Sequence, residues 1–189
     1  MSHLNSFRKS GVSEALRRVF IQRKNVHFLL CGDKRIMDLL PLPKDRVTYQ
    51  PYVTWSDWPK VFSKFDISLA PLAGVYDSSR SAIKLTEASI MGIPVVASAS
   101  APYKDYIESG VGIYPCNDDD NPSTQTMRTD AWERSLLDII DNYGYHKEKL
   151  DSQFEYAMKW DVDANVQKIA DVYQLVIDGR RQIDDVAVK

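Results

Sequence analysis

Apolar positions along the first two-thirds of the chain follow two alternating rhythms. From Ser13 to Arg23, Leu16, Val19 and Phe20 recur at helical spacing among Arg17, Arg18, Gln22 and Arg23, which predicts an amphipathic helix ending by Asn25. Val26 to Cys31 is a short apolar run stopped by Gly32-Asp33, the pattern of a buried parallel strand, and Val47-Thr48-Tyr49 predicts a second. Ser56 reads as the N-cap of a helix through Lys64, with Pro59 tolerated early, and Phe65 to Leu72 reads as the next strand. A helix from Ser79 to Met91 then leads through Gly92-Ile93-Pro94 into a strand at Val95 to Ser98. A short helix at Tyr103 to Glu108 precedes a fifth strand at Val111 to Pro115. This alternation predicts an α/β fold with a doubly wound, Rossmann-like parallel sheet.

The last third changes character. Asn117 to Arg128, with three consecutive Asp, a Pro and several Ser/Thr, reads as a polar surface loop. Three C-terminal helices are expected over Asp130–Tyr143, Tyr145–Lys159 and Asp163–Ile177. The expected organisation is one domain over residues 1–177 and a loosely held tail over 178–189.

A chain of 189 residues, 44% hydrophobic and 26% charged, is long enough to bury a core without disulfides or metals. Its 24 basic and 26 acidic residues are scattered, so no basic stripe follows a phosphate backbone, and nucleic acid is not an expected partner. The longest apolar runs fall far short of the ~20 residues that span a bilayer. The first residues carry no apolar signal core, so the expected location is the cytoplasm, or a peripheral position at the inner membrane face. Cys31 and Cys116 sit in strand-like runs and read as small buried hydrophobes. No metal site is expected: the three His are far apart, and Asp118-Asp119-Asp120 lies in the polar loop.

Open α/β sheets bind ligands at the carboxyl ends of their strands. The richest such junction follows Leu72, where Ala73 to Ser79 leads into a helix beginning Arg80-Ser81-Ala82-Ile83-Lys84. At 100° per residue, Arg80, Lys84 and Glu87 form one charged stripe. Arg80 and Lys84 suit phosphate oxygens, and Glu87, acceptor-only when ionised, suits a ribose diol. From spacing alone the same stripe reads as the solvent face of an amphipathic helix with an ordinary Lys84–Glu87 pair.

Three segments bear on that choice: Asp66 to Leu72, the run Arg80-Ser81-Ala82-Ile83-Lys84-Leu85-Thr86-Glu87-Ala88, and Met91-Gly92-Ile93-Pro94-Val95-Val96-Ala97-Ser98. In order and spacing they resemble the donor domain of GT-B glycosyltransferases, above all the "group 1" branch of bacterial and phage polysaccharide enzymes. The resemblance covers most of residues 3–177. It implies a nucleotide-sugar-binding domain, with Glu87 on the ribose and Arg80, Lys84, Ser79 and Ser81 around the diphosphate. It also implies weaker contacts from Gly32 and Lys34 near the phosphates and from Tyr52 and Val53 beside the base. The donor would be a UDP-, GDP- or similar sugar used without a metal or cofactor, and the acceptor a glycan or lipid-linked sugar. One departure touches the sugar contact: where double-glutamate relatives carry a first Glu, this chain has Ser79, and Asp77 is the nearest acidic substitute.

The resemblance further implies a central strand ahead of Ser2-His3-Leu4-Asn5 and an acceptor-binding N-terminal domain before it, neither of which the sequence contains. The expectation is a donor half that needs another polypeptide, or a second copy of itself, to complete its sheet. The alternative is a catalytically inert sugar-nucleotide-binding or scaffolding subunit, since no nucleophile or general base can be named. A dinucleotide oxidoreductase ranks low because no G-x-G-x-x-G follows a predicted strand.

Overall fold

The apolar runs form strands that are all parallel to their neighbours in the computed structural model, which describes residues 3–110, 113–117 and 122–177. Two helices open the chain, α1 (His3–Lys9) and α2 (Val12–Gln22). Strand β1 (Phe28–Cys31) follows, then a 3-10 turn over Lys34–Leu39 and β2 (Val47–Gln50). Next come α3 (Trp58–Phe62), β3 (Ser68–Ala70), a 3-10 turn over Val75–Ser79 and α4 (Ile83–Ile90). After β4 (Val95–Ala99), α5 (Lys104–Glu108) and β5 (Ile113–Asn117), the chain ends in α6 (Gln125–Asp141), α7 (Tyr143–Lys147), α8 (Leu150–Met158) and α9 (Val162–Ile177).

The expected single doubly wound sheet is not formed. β1 pairs with β2, Phe28 opposite Val47 through Cys31 opposite Gln50, in one piece. β3, β4 and β5 make a second piece, with Ser68 opposite Val95 and Val95 opposite Ile113. Among the described residues no strand lies between β1 and β3. A sheet is continuous only where backbone edges pair, and each of these two strands has a partner on one side alone. The same shortage trims the expected strand at Phe65–Leu72 to three residues.

Helices nevertheless cover two faces. Val96 packs with α1, α2 and α6 in a core containing Val12, Val19, Phe20, Trp132 and Leu136. Its neighbours Val95 and Ala97 point the other way, into a core with Leu85 and Ala88 of α4 and Tyr103 and Tyr106. This alternation is the period-2 geometry of a strand buried on both faces.

Four expectations about boundaries change. The helix expected from Ser79 begins only at Ile83, because Ser79 closes a 3-10 turn and Arg80 is extended, with φ −81° and ψ 164°. Ser56 does not cap α3, whose N-cap residue is Asp57. The polar stretch before Asp130 becomes helical at Gln125, since Arg128 is buried and donates to Thr124, Gln125 and the Lys9 carbonyl, tying α6 to the end of α1. The helix expected over Tyr145–Lys159 is two, α7 and α8. The tail over 178–189 and Asp118 to Asp120 lie outside the described residues, as do the side chains of β5, Cys116 included.

Candidate active site

The loop after β3 is built around Asp77, which is 3% exposed. Gly74 enters it at φ 89° and ψ 172°, a combination open essentially to glycine alone. Asp77 Oδ2 accepts from Ser6 Oγ at 2.6 Å and from the Ala73 N–H at 2.9 Å. Its Oδ1 accepts from Arg80 Nε at 2.8 Å. Burial pushes the Asp77 carboxyl up, but the bonds from Ser6, Ala73 and Arg80 outweigh it and hold the group below its ordinary range. Asp77 is therefore an internal clamp for Arg80 and has no oxygen left to take the place of the absent glutamate on a donor sugar. Ser98 of β4 braces the same loop, accepting from the Leu72 N–H and donating to the Leu72 carbonyl, both at 2.9 Å.

Arg80 is 22% exposed and stays beside the Tyr76 ring. One turn into α4, Lys84 and Glu87 reach a cleft of about 710 Å³ that also touches Asp33, Tyr52 and Trp58. Desolvation, reinforced by the nearby Arg80 charge, pulls the Lys84 ammonium down to about 8. Burial pushes Glu87 above the usual carboxylate range, opposed by a hydrogen bond from Trp58 and by the charge of Lys84. No side chain caps the start of α4, so its first-turn N–H groups present the positive end of the helix at the same place.

On the other side of the cleft, Gly32 ends β1 at φ 113° and lies under the Tyr52 ring. A Cβ there would sit 3.0 Å from Tyr52 Cε1, so the flat contact requires glycine. Tyr52 is 77% exposed, an aromatic face open at the cleft rim. Arg35 folds back onto Asp33 at 2.6 Å, and Lys34 lies over the Tyr49 ring at 5.7 Å.

Of the residues singled out from sequence, the cleft thus brings together Lys84, Glu87 and Tyr52, with Gly32 as the floor under Tyr52 and Arg80 at the adjoining loop. Ser79 and Ser81 are exposed on the turn before α4, and neither they, Lys34 nor Val53 lines the cleft. Sequence reasoning missed Trp58 as the partner of Glu87, and Ser6 as the anchor of Asp77 from 71 residues away. No local pattern marks either. His27 is exposed and bonded to Thr48 Oγ1 at 2.8 Å, a pairing that supports the strand junction. Cys31 is a half-buried free thiol that donates to the Pro51 carbonyl at 3.4 Å, and desolvation pushes its pKa up. Among the described residues no cluster of His, Cys, Asp and Glu suits a metal ion, and no helix is long and apolar enough to cross a membrane.

No curated protein matches the chain. The family model for glycosyl transferases group 1 matches residues 7–128. That span includes every loop described above, from Gly32 through Tyr52 to Arg80, Lys84 and Glu87. It covers well over half of the sequence, and the chain belongs to the glycosyltransferase group 1 family, as a GT-B-type domain.

Proposed function

We propose that this domain binds a nucleoside diphosphate sugar at the carboxyl ends of β1, β3 and β4, as the donor half of an enzyme that transfers the sugar to a glycan or lipid-linked acceptor. The observation that carries the reading is that Arg80, in the loop beside the cleft, lies near Lys84 at the uncapped start of α4, with Glu87 one turn further along. Two cations and a helix N-terminus fit a diphosphate, whose negative charge grows as the glycosidic bond to the sugar breaks. Charge stabilisation of this kind involves no metal. Glu87 accepts from the ribose hydroxyls once ionised, and the Tyr52 face is available for the base.

Isothermal titration of the purified chain with UDP and with GDP, using NAD as a control, tests this. Micromolar to millimolar binding of one diphosphate is expected, weakened at least tenfold by Arg80→Ala and by Glu87→Ala while both variants stay folded. Equal affinity in the Glu87 variant would remove its ribose role. No binding of either diphosphate by a folded chain would turn the assignment toward an inert scaffolding subunit.

A further inference from the structure

Two aromatic residues reach the candidate cleft from one short connection. The chain leaves β2 at Gln50, lays Tyr52 over Gly32 and arrives at α3, whose first residue is Trp58. Thr54 stiffens this connection. Its Oγ1 donates to Asp57 Oδ2 at 2.9 Å, and its carbonyl accepts from the Asp57 and Trp58 N–H groups at 3.1 and 3.0 Å. The indole of Trp58 is then held by its own neighbours, meeting Phe62 edge-on at 5.1 Å and Phe65 at 6.3 Å between ring centroids. Phe62 is buried in the core that contains Leu85 and Ala88 of α4. The helix that carries Glu87 thus shares a core with the aromatic cluster that fixes Trp58.

α4 is fixed from its other sides. Thr86 Oγ1, next to Glu87 in sequence, bonds to the Tyr106 hydroxyl at 2.6 Å. α8 packs on α4, and its buried residues are Leu150, Gln153 and Ala157, none of them ionisable. In the cleft that Trp58 and Glu87 both line, the indole N–H donates to the Glu87 carboxylate. An indole nitrogen only donates, so its bond is strongest to the ionised acid and favours that form. It works with the charge of Lys84, on the same helix, against the burial that pushes Glu87 up. Asp33, on the β1 side of the cleft, is engaged with Arg35. Of a carboxylate's roughly four lone-pair positions the indole takes one. The rest can accept from hydroxyls on adjacent carbons, as long as the carboxylate stays ionised and keeps its orientation.

We propose that Trp58 is a positioning residue for this site: by holding one side of the Glu87 carboxylate it aims the remainder into the cleft. The domain therefore selects a ligand with a free vicinal diol over its 2′-deoxy counterpart. The diol preference rests on the nucleotide reading above, whereas the control of Glu87 by Trp58 does not.

Trp58→Phe tests it, because it keeps an aromatic ring against Phe62 and Phe65 and removes the N–H. Carboxyl carbon NMR of the glutamate-labelled chain follows Glu87 without any ligand, its resonance assigned by its loss in Glu87→Gln. The Glu87 titration midpoint is expected to rise by about half a pH unit or more in Trp58→Phe, as one charge-assisted bond is lost. In the unaltered chain, the Trp58 indole proton resonance is expected to move with the Glu87 midpoint and to lose that titration in Glu87→Gln, a readout that needs no change at Trp58. Calorimetry then compares UDP and GDP with their 2′-deoxy forms. The chain is expected to favour the ribose form by about tenfold or more, and Trp58→Phe to cut that preference to about threefold or less. In the Glu87→Gln background, Trp58→Phe is expected to change affinity by less than about twofold, since a residue acting through Glu87 then has nothing to act on. A Glu87 midpoint that stays in place, or an indole resonance blind to it, overturns the proposal. So does a Trp58→Phe chain that keeps its full ribose preference, which would make the indole a packing group. Absence of diphosphate binding with both resonances responding overturns the nucleotide reading and the diol preference, and leaves Trp58 as the group that controls Glu87.

Discussion

Asp77 shows how one buried carboxylate organises a binding loop. Three donors converge on it from α1, from the β3 exit and from Arg80 just ahead of α4. Asp77→Asn keeps the shape, but its amide group faces donors, so it is expected to cost about 2–3 kcal/mol in urea unfolding. It is also expected to weaken UDP or GDP binding as Arg80 loses its anchor, and full affinity in that variant would show that Arg80 needs no clamp. The folded carboxyl is held below its unfolded value, so this stabilisation is present above the unfolded pKa and is lost as pH falls through the folded one. Lys84 acts in the same sense in an alkaline window: its folded value of about 8 lies below the ordinary 10.5, so the folded chain binds fewer protons between the two and stability again rises with pH. Diphosphate affinity should fall over the same interval as the ammonium is lost. Lys84→Arg, which stays charged, should flatten that fall in titrations from pH 7 to 10; a fall of equal size would point to another group.

Among the elements, α9 stands apart. It has no buried residue, and Val162, Val166, Ile169, Tyr173 and Val176 form an exposed stripe along its 16 residues. The spacing of four and three residues is that of a helix seam, which explains why the sequence reads as an amphipathic helix although nothing in the described fold covers it. With so little buried, α9 contributes little to the stability of the rest. Ending the chain after Asp161 is expected to leave the melting temperature within about 3 °C, and a larger drop in calorimetry would mean that the stripe is covered in solution. α6 is the contrary case, because it packs on α2 and on both β4 and β5.

At the scale of the whole molecule, the two sheet pieces share no backbone pairing between β1 and β3 among the described residues, so helices must hold them together. Trp132 on α6 is fully buried in the core that joins α2, β1 and β4. Trp132→Ala is expected to cost about 3–5 kcal/mol and to loosen β1–β2 relative to β3–β5, read as faster exchange at Leu30 and Ser68 together. If only one of the pair accelerated, the clasp would lie elsewhere. The sequence by itself determined the order of the strands and of most helices, though not α1 or the division between α7 and α8, because period-2 and helical spacings of apolar residues are local and survive any tertiary arrangement. It also carried the three segments by which the family is known, and Lys84 and Glu87 with them, because one helical turn brings residues three apart to the same wall. What the tertiary structure alone decided are the contacts between distant segments. Ser6 meets Asp77 and turns a suspected sugar ligand into a clamp; Trp58 meets Glu87; Arg128 draws a polar stretch into α6. The break between β1 and β3 belongs there too, since strand pairing joins backbones across the chain and leaves no periodicity behind when it is missing.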